Sequence, residues 1–375
     1  MTKVLHITNW YPNKWNDVEA LFVREQFALF SEVTETRLLH VEVRQSSEWF
    51  KYEKVRYSDN ETGYYILTKI KTFRIIEILT TLLLLFALFR NRCYKYDLLH
   101  FHIAYPLLTY HFLWKAFVKI PVIVSEHWSA YHFNFYMPPE THKLERIKNI
   151  FRRGLPVITV SKALLEDIRR FAGTQDFPSY VIPNVIDLDS YTRQPGVRTK
   201  TKPVFFIVNF WRAIKNPFPM LEGFAFLAMQ QVDFELRIGG YGPIMESMKA
   251  FVREHGLGAN TVFLGKLYKE AIAREMNEAD AYLFSSNYET FSAVCAQSLC
   301  CGCPLIGPPL SAVMEYTSVN EIVTLEANDA RSWADGIREF LENRERFDRG
   351  EISGKTRALF SHERIKSRYM EVING

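Results

Sequence analysis

Several groups of residues in this 375-residue sequence are of types, and at spacings, suited to holding and moving charged groups. Arg212 and Lys215 follow the apolar run Pro203–Phe210. Together they would neutralise a diphosphate, Arg through forked hydrogen bonds and Lys as a point charge. Glu289 and Gln297 fall within Tyr282–Gly307, YLFSSNYETFSAVCAQSLCCGCPLIG. Eight residues of helix rise ~12 Å and return to roughly the same side. Two polar groups so placed would grip opposite ends of an elongated ligand. Between them Phe291-Ser292 opens a helical stretch expected over Ser292–Cys301, where unpaired first-turn N–H groups and the helix dipole favour an anion. His100, His102 and His127 lie at the ends of LLHFH and VIVSEH, the carboxyl edge at which open α/β sheets keep their ligands.

The elements that must position these groups repeat one pattern. KVLHITNWYPNKWNDVEALFVREQFALF reads as an apolar strand, a polar loop and an amphipathic helix, the start of a Rossmann-like half-sheet. The pattern starts again at Pro203, and Tyr282–Gly307 is another strand, loop, helix and strand. Gly239-Gly240-Tyr241-Gly242-Pro243 and Gly265 add glycine turns after strands in the same half. A polar segment, Tyr191–Lys202, reads as the interdomain linker. Asp187-Leu188-Asp189 resembles a metal-binding D-x-D but lies on the exit from a strand into that linker, and no metal role is assigned to it.

Length and composition agree with two domains of ordinary size. At 48% hydrophobic and 23% charged residues the chain is globular. The net charge of +4 is far from a nucleic-acid footprint. All the excess lies in the first 190 residues, with 24 Lys and Arg against 20 Asp and Glu, which allows a mildly basic surface facing anionic lipid or a diphosphate. Met1-Thr2-Lys3 runs directly into a strand-like segment, without a signal-peptide pattern. Cys295, Cys300, Cys301 and Cys303 crowd one apolar stretch of a long chain, so reduced, buried thiols and a cytoplasmic protein are expected. The most apolar run, Phe73–Arg90, is shorter than a membrane span and carries Glu77. It is expected as a core-facing helix, although Lys69, Lys71, Arg74, Arg90, Arg92 and Lys95 flank it as they would an interfacial helix.

Tyr282–Gly307 resembles the E-x7-E region of the retaining glycosyltransferases of family 4, also called glycosyl transferases group 1. The resemblance extends over nearly the whole chain. VREQ in the first helix, LLHFH, the strand end at His127, IPNVID, the Gly239–Pro243 turn and TVFLG follow the family's order. It implies an α/β GT-B fold: two Rossmann-like domains facing a central cleft, 1–190 on the acceptor side and 203–360 for the nucleotide sugar, with a C-terminal helix, about 361–375, crossing back to the first domain. It implies that Glu289 binds hydroxyls of the transferred sugar, that His127 sits beside that sugar and the acceptor, and that Arg212 and Lys215 meet the diphosphate. Gly240, Gly242, Gly265, Phe291, Ser292 and Gln297 would complete the donor site. The pattern differs here in several places: Gln297 replaces the ribose-binding Glu, Thr290-Phe291-Ser292 stands for the usual Gly-Phe-Gly, Ala20 replaces the glycine opening the first helix, and Phe210 takes the usual Arg place of G-R-x(4)-K-G.

The expected activity is metal-independent, retaining transfer of a hexose from a nucleotide-diphosphate sugar to a glycan or lipid-linked acceptor in cell-surface polysaccharide biosynthesis. No cofactor and no nucleic-acid partner are expected, and peripheral contact of the N-terminal domain with the inner face of the cell membrane fits a lipid-linked acceptor. The alternatives are a non-catalytic nucleotide-sugar or glycan-binding protein of this fold, or a nucleotide-sugar epimerase or hydrolase.

Overall fold

The apolar runs spaced along the chain become parallel strands. The inner ones are nearly continuous in hydrophobic residues, because a parallel sheet covered on both faces buries both sides of its central strands. The computed structural model describes residues 1–17, 19–138, 141–196 and 202–374. It divides into two compact units, Met1–Val185 with His362 to the C-terminus, and Ile186–Ser361.

In the first unit the strands are β1 (Lys3–Thr8), β2 (Glu35–Gln45), β3 (Lys51–Arg56), β4 (Glu61–Thr68), β5 (Leu98–His102), β6 (Val122–Glu126), β7 (Val157–Thr159) and β8 (Ser179–Val181). They form one sheet in the order β3-β4-β2-β1-β5-β6-β7-β8, parallel throughout except that β3 runs against β4. The chain leaves β1 first to one side and later returns to its other side as β5. Loops diverge at such a reversal and open a crevice at the carboxyl ends of β1 and β5. Helix α1 (Leu21–Ser31) and the C-terminal helix His362–Asn374 cover one face. Tyr369 meets Phe30 with ring centres 4.4 Å apart, inside a cluster that includes Val4, Leu98, Ile123 and Ile365.

Helix α2 (Phe73–Arg90) departs in part from the expected core-facing role. Leu83, Leu84, Ala87 and Leu88 are buried, whereas Ile75, Ile78, Leu82, Phe86 and Phe89 are exposed. A helix apolar all round has two faces to bury, and here only one is covered. Glu77, which interrupts the run, is fully buried and held by Arg146 Nη2 at 2.8 Å and the Tyr105 hydroxyl at 3.1 Å. Among the described residues no helix is long and apolar enough to cross a membrane.

The second unit contains β9 (Val204–Phe210), β10 (Glu235–Tyr241), β11 (Thr261–Gly265), β12 (Ala281–Leu283), β13 (Leu305–Gly307) and β14 (Ile322–Thr324). Their order is β11-β10-β9-β12-β13-β14, all parallel, with the topological reversal between β9 and β12. Of the expected linker, residues 197–201 lie outside the described residues. Its earlier part packs within the second unit, where the Gln194 amide donates to Asn277 Oδ1 at 2.7 Å. All five cysteines are free and buried.

Candidate functional site

The reversal between β9 and β12 fixes where the second unit can hold a ligand, and the charged residues gather there. Past β9 the chain makes a short turn, Ala213–Lys215, ended by Asn216 in the left-handed region at φ 38°. Past β12 it continues as the loop from Phe284 to the helix Ala293–Cys300. Three bonds tie the two exits together: the Asn287 amide to Ile214 O at 2.9 Å, Ser285 Oγ to Lys215 O at 2.6 Å, and Asn216 Nδ2 to Asn287 Oδ1 at 2.9 Å. On this frame Lys215 Nζ donates to Glu289 Oε1 at 2.6 Å. Ser286 Oγ donates to the same oxygen at 2.7 Å. Both members of the ion pair are largely enclosed, with side-chain exposures of 15% and 16%, while Glu289 Oε2 accepts no hydrogen bond from any described residue.

Arg212 stands on the same exit, exposed, with its guanidinium carbon 5.8 Å from the Phe210 ring centre. The glycine turn is fastened directly to it: the Trp211 amide donates to Tyr241 O at 2.7 Å and Trp211 Nε1 to Gly239 O at 2.7 Å. Contact this close requires glycine. A Cβ at Gly240 would run into the Asn209 carbonyl, and one at Gly242 into that of Trp211. Gly265 closes β11, the edge strand two places from β9, and so stands apart from the ion pair.

The Glu289–Gln297 spacing differs from the helical expectation. Only Ala293–Cys300 is helical, because Ser292 takes a left-handed conformation, φ 60° and ψ 74°, at the helix start. Glu289 therefore belongs to the loop, and Gln297 sits half-buried in the second turn. Phe291 is buried against Tyr316 and Phe360, with ring centres 5.5 and 5.6 Å away. The Tyr316 hydroxyl meets the carbonyls of Phe291 and Ser292 at 3.0 and 3.1 Å. These contacts hold the turn at the helix start, where the first-turn amides of Ala293 and Val294 have no acceptor among the described residues, as the first amides of a helix lack intrahelical partners.

In the first unit His127 follows β6 directly. It is buried, with its ring centre 4.3 Å from that of Phe22, and neither ring nitrogen has a well-formed hydrogen bond. Burial, reinforced by His102, pushes its pKa down to about 3, so the ring is neutral. Beside it Glu126 is buried and accepts from the Ala104 amide and the Tyr131 hydroxyl, each at 2.6 Å. Burial raises that carboxyl to about 7, against these hydrogen bonds, which pull it down. His6, His100 and His102 form a buried cluster whose ring nitrogens lie within 4.8 Å of one another. His6 Nδ1 and His102 Nε2 are 3.0 Å apart, one donating to the other, and His100 Nε2 meets Ser125 Oγ at 2.7 Å. His100 and His102 are thus built into the sheet, next to His127. Asp187 of the D-x-D is engaged by Lys269 Nζ at 2.6 Å; against burial that would raise it, this bond and those from Ser190 hold its carboxyl down at about 2.

Two family models match consecutive parts of the chain. Residues 56–190 match Glycosyltransferase Family 4, and residues 191–356 match Glycosyl transferases group 1. The chain belongs to the family 4 glycosyltransferases. In sequence this glycosyltransferase is 24% identical over 263 residues to the N-acetyl-alpha-D-glucosaminyl L-malate synthase of Bacillus anthracis. That match covers 66% of each chain, just under two thirds of the relative's length. In fold the chain is similar over its full length to a sucrose-phosphate synthase from Thermosynechococcus elongatus, 17% identical, covering 98% of that chain with a TM-score of 0.76. It is likewise similar to the HepE protein of Anabaena, solved in complex with UDP and glucose, 14% identical with full coverage of both chains and a TM-score of 0.74. The architecture is GT-B.

Residue patterns alone did not single out Ser286, Asn287 or Asn328. Asn328 Nδ2 bonds Ser285 O at 2.9 Å and Asn287 Oδ1 at 3.1 Å, while its own oxygen takes Trp333 Nε1 at 2.9 Å. Ser286 lies in the same loop three residues before Glu289, close enough in sequence for its hydroxyl to be weighed as a partner of that carboxylate. Asn328 carried no such signal.

Proposed function

We propose that this glycosyltransferase moves a hexose from a nucleoside-diphosphate sugar to a glycan or lipid-linked glycan, with retention of anomeric configuration and without a metal ion. The observation that carries the proposal is the Lys215–Glu289 pair at 2.6 Å, built at the β9/β12 reversal beside an exposed Arg212 and a helix start. In the second unit Lys215, Arg212 and the amides of Ala293 and Val294 would take the diphosphate. Glu289, through its unoccupied oxygen, would take sugar hydroxyls, and Gln297 the ribose. As the bond from the anomeric carbon to the diphosphate oxygen breaks, negative charge grows on the leaving phosphate. Fixed cationic donors stabilise that charge by several kcal/mol in comparable sites. The acceptor oxygen bonds to the anomeric carbon on the same face, and its proton passes to the departing phosphate oxygen.

The first unit would present the acceptor. Its neutral His127 suits a hydroxyl, which is uncharged, as the cationic second-unit site suits a diphosphate. The product would be an intermediate of a cell-surface polysaccharide made at the cytoplasmic face of the membrane. UDP is the first donor nucleotide to test, because HepE has been solved with it.

Calorimetric titration of UDP, GDP and ADP, each with and without EDTA, tests the donor half. One nucleotide is expected to bind with unchanged affinity in EDTA and to lose that affinity in Arg212→Ala/Lys215→Ala. Absence of binding by all three at millimolar concentration would refute the transferase assignment. Proton NMR of the anomeric signal in the product checks retention.

A further inference from the structure

The outer stripe of α2 takes no part in the chemistry above. Ile75, Ile78, Leu82, Phe86 and Phe89 recur at spacings of three and four residues and are 41–57% exposed, forming one continuous apolar line along the helix. Across from it, α3 (His111–Lys115) and the turn after it add Phe112, Leu113 and Phe117, of which Phe117 is 81% exposed. The two helices enclose an almost wholly apolar cleft of about 570 Å³, lined among others by Arg74, Leu82, Leu113, Trp114 and Phe117. That volume lies within the range of small-molecule sites. Soluble monomers seldom leave a patch of this extent uncovered.

Charge in the segment that carries the patch is mostly of one sign. From Lys69 to Ser125 the sequence holds eight Lys and Arg and only two carboxylates, Glu77 and Asp97. Glu77 is buried under Arg146, and Asp97 accepts the Lys3 amide at 2.8 Å. The cations are arrayed over exposed aromatic rings: Lys143 Nζ lies 3.8 Å from the centre of Phe73, Arg153 4.4 Å from Phe112, and Lys69 5.3 Å from Trp49. Lysine-rich rims are disfavoured at protein interfaces. An apolar helix face edged by aromatics and cations matches the boundary of an anionic bilayer.

We propose that this face of the first unit docks on an anionic phospholipid bilayer, with one lipid hydrocarbon chain entering the α2–α3 cleft and Arg74 at its rim meeting the lipid phosphate. The proposal deepens the assignment of a lipid-linked acceptor to this unit, and it is read out without donor or acceptor.

The test is flotation of the full chain with vesicles of phosphatidylcholine alone or with 30% phosphatidylglycerol, at fixed salt. Binding is expected to favour the anionic vesicles at least tenfold. It should fall about fivefold for each cation removed in Lys71→Ala/Arg74→Ala, and beyond detection in Leu82→Glu/Phe86→Glu. Lipids brominated on the acyl chain are expected to quench a fluorescence component that Trp114→Phe removes. All the flotation substitutions are at exposed positions, and Phe117→Ser gives a second, milder apolar variant. Nucleotide binding by the second unit and the thermal transition report whether each variant is folded. Equal binding by wild type and folded variants, or none by wild type, overturns the proposal. So does a wild-type dimer that Leu82→Glu/Phe86→Glu dissociates with no vesicle binding, since a second copy would then cover the face. Vesicle binding without nucleotide binding would sink the donor assignment and leave this one standing.

Discussion

Replacing Glu289 by Gln is expected to separate nucleotide binding from transfer, moving them in opposite directions. In the structure Lys215 spends its charge on Glu289 at 2.6 Å, so a diphosphate recruiting Lys215 must compete with that carboxylate. Hydrogen bonds to charged groups contribute ~1.5–3 kcal/mol, and exposed ion pairs ~0.2–1 kcal/mol. With side chains 15% and 16% exposed and Ser286 also on Oε1, the pair lies between these limits, at ~1–2 kcal/mol. Gln keeps an acceptor for Lys215 and Ser286 but removes the charge. Roughly half the competition should vanish, tightening the bare nucleoside diphosphate by ~1 kcal/mol, about fivefold. Transfer should nevertheless fall ~100-fold or more, because the sugar loses a charged partner whose grip tightens in the transition state.

Lys215→Met removes a charge-assisted bond to phosphate, and weaker nucleotide binding by ~10–150-fold is expected. Titrating all four members of the cycle with the nucleotide that binds wild type isolates the coupling, and initial rates of transfer supply the second readout. The sign decides the matter. If Glu289→Gln weakens the bare nucleotide as Lys215→Met does, Glu289 acts by holding Lys215 in place and the competition argument is wrong.

Glu126→Gln is expected to flatten the pH dependence of stability. Burial first, against hydrogen bonds that lower it, raises the folded pKa from 4.5 to about 7, so the stabilisation is full below 4.5 and lost as pH rises through 7, ~3 kcal/mol in all. Parallel denaturation profiles for variant and wild type between pH 5 and 8 would contradict this. His102 and His127 work with the opposite sign: burial pushes both down to about 3 from 6.5. Their stabilisation is present above 6.5 and lost on acidification, ~2 kcal/mol each by pH 5, and the acid midpoint by near-UV circular dichroism should drop in His102→Asn/His127→Asn. Ala20→Gly and Ser292→Gly should each raise stability by ~1 kcal/mol through relief of left-handed strain. A lowered thermal midpoint in Ser292→Gly would show instead that the Ser292 Oγ contact to Cys295 Sγ at 3.1 Å matters more.

Much of the second unit was legible because its charged residues follow strands directly. Lys215 and Glu289 were each expected at a ligand site, but as separate grips on diphosphate and sugar; that they bond to each other, 74 residues apart, came only from the structure, where the loops after β9 and β12 are tied together. Helix periodicity failed between Glu289 and Gln297 because it presumes continuous helical dihedrals, and Ser292 at φ 60° interrupts them. For α2 the run of leucines and isoleucines gave no preferred direction, so which face the sheet would cover could not be read. Asn328 was out of reach for a different reason. Its role comes from two carbonyl-type acceptors, Ser285 O and Asn287 Oδ1, that only the folded chain brings together.

The departures from the family pattern change side chains while leaving backbone shape in place. Ala20, Asn216 and Ser292 stand where the pattern has glycine, and all three take left-handed conformations, at φ 46°, 38° and 60°. Asn tolerates this region through its short polar side chain, whereas Ala and Ser cost ~1–2 kcal/mol each. Such strain persists only where surrounding contacts over-determine it, and those contacts are visible: the Asn216–Asn287 bond at 2.9 Å and the Tyr316 hydroxyl on the carbonyls flanking Ser292. Asn216 and Ser292 both border the ion pair, one closing the basic loop and the other opening the helix. A fold drifting away from phosphate binding would have let these turns relax to ordinary dihedrals at a gain in stability. That Ser292 stays strained at the helix start, beside the ion pair, argues that the geometry still answers to an anionic ligand. Gln297 is then a change in how the far end of that ligand is held: Gln297→Glu should tighten nucleotide binding by a charge-assisted bond, ~10-fold, whereas an unchanged affinity would place the ribose elsewhere.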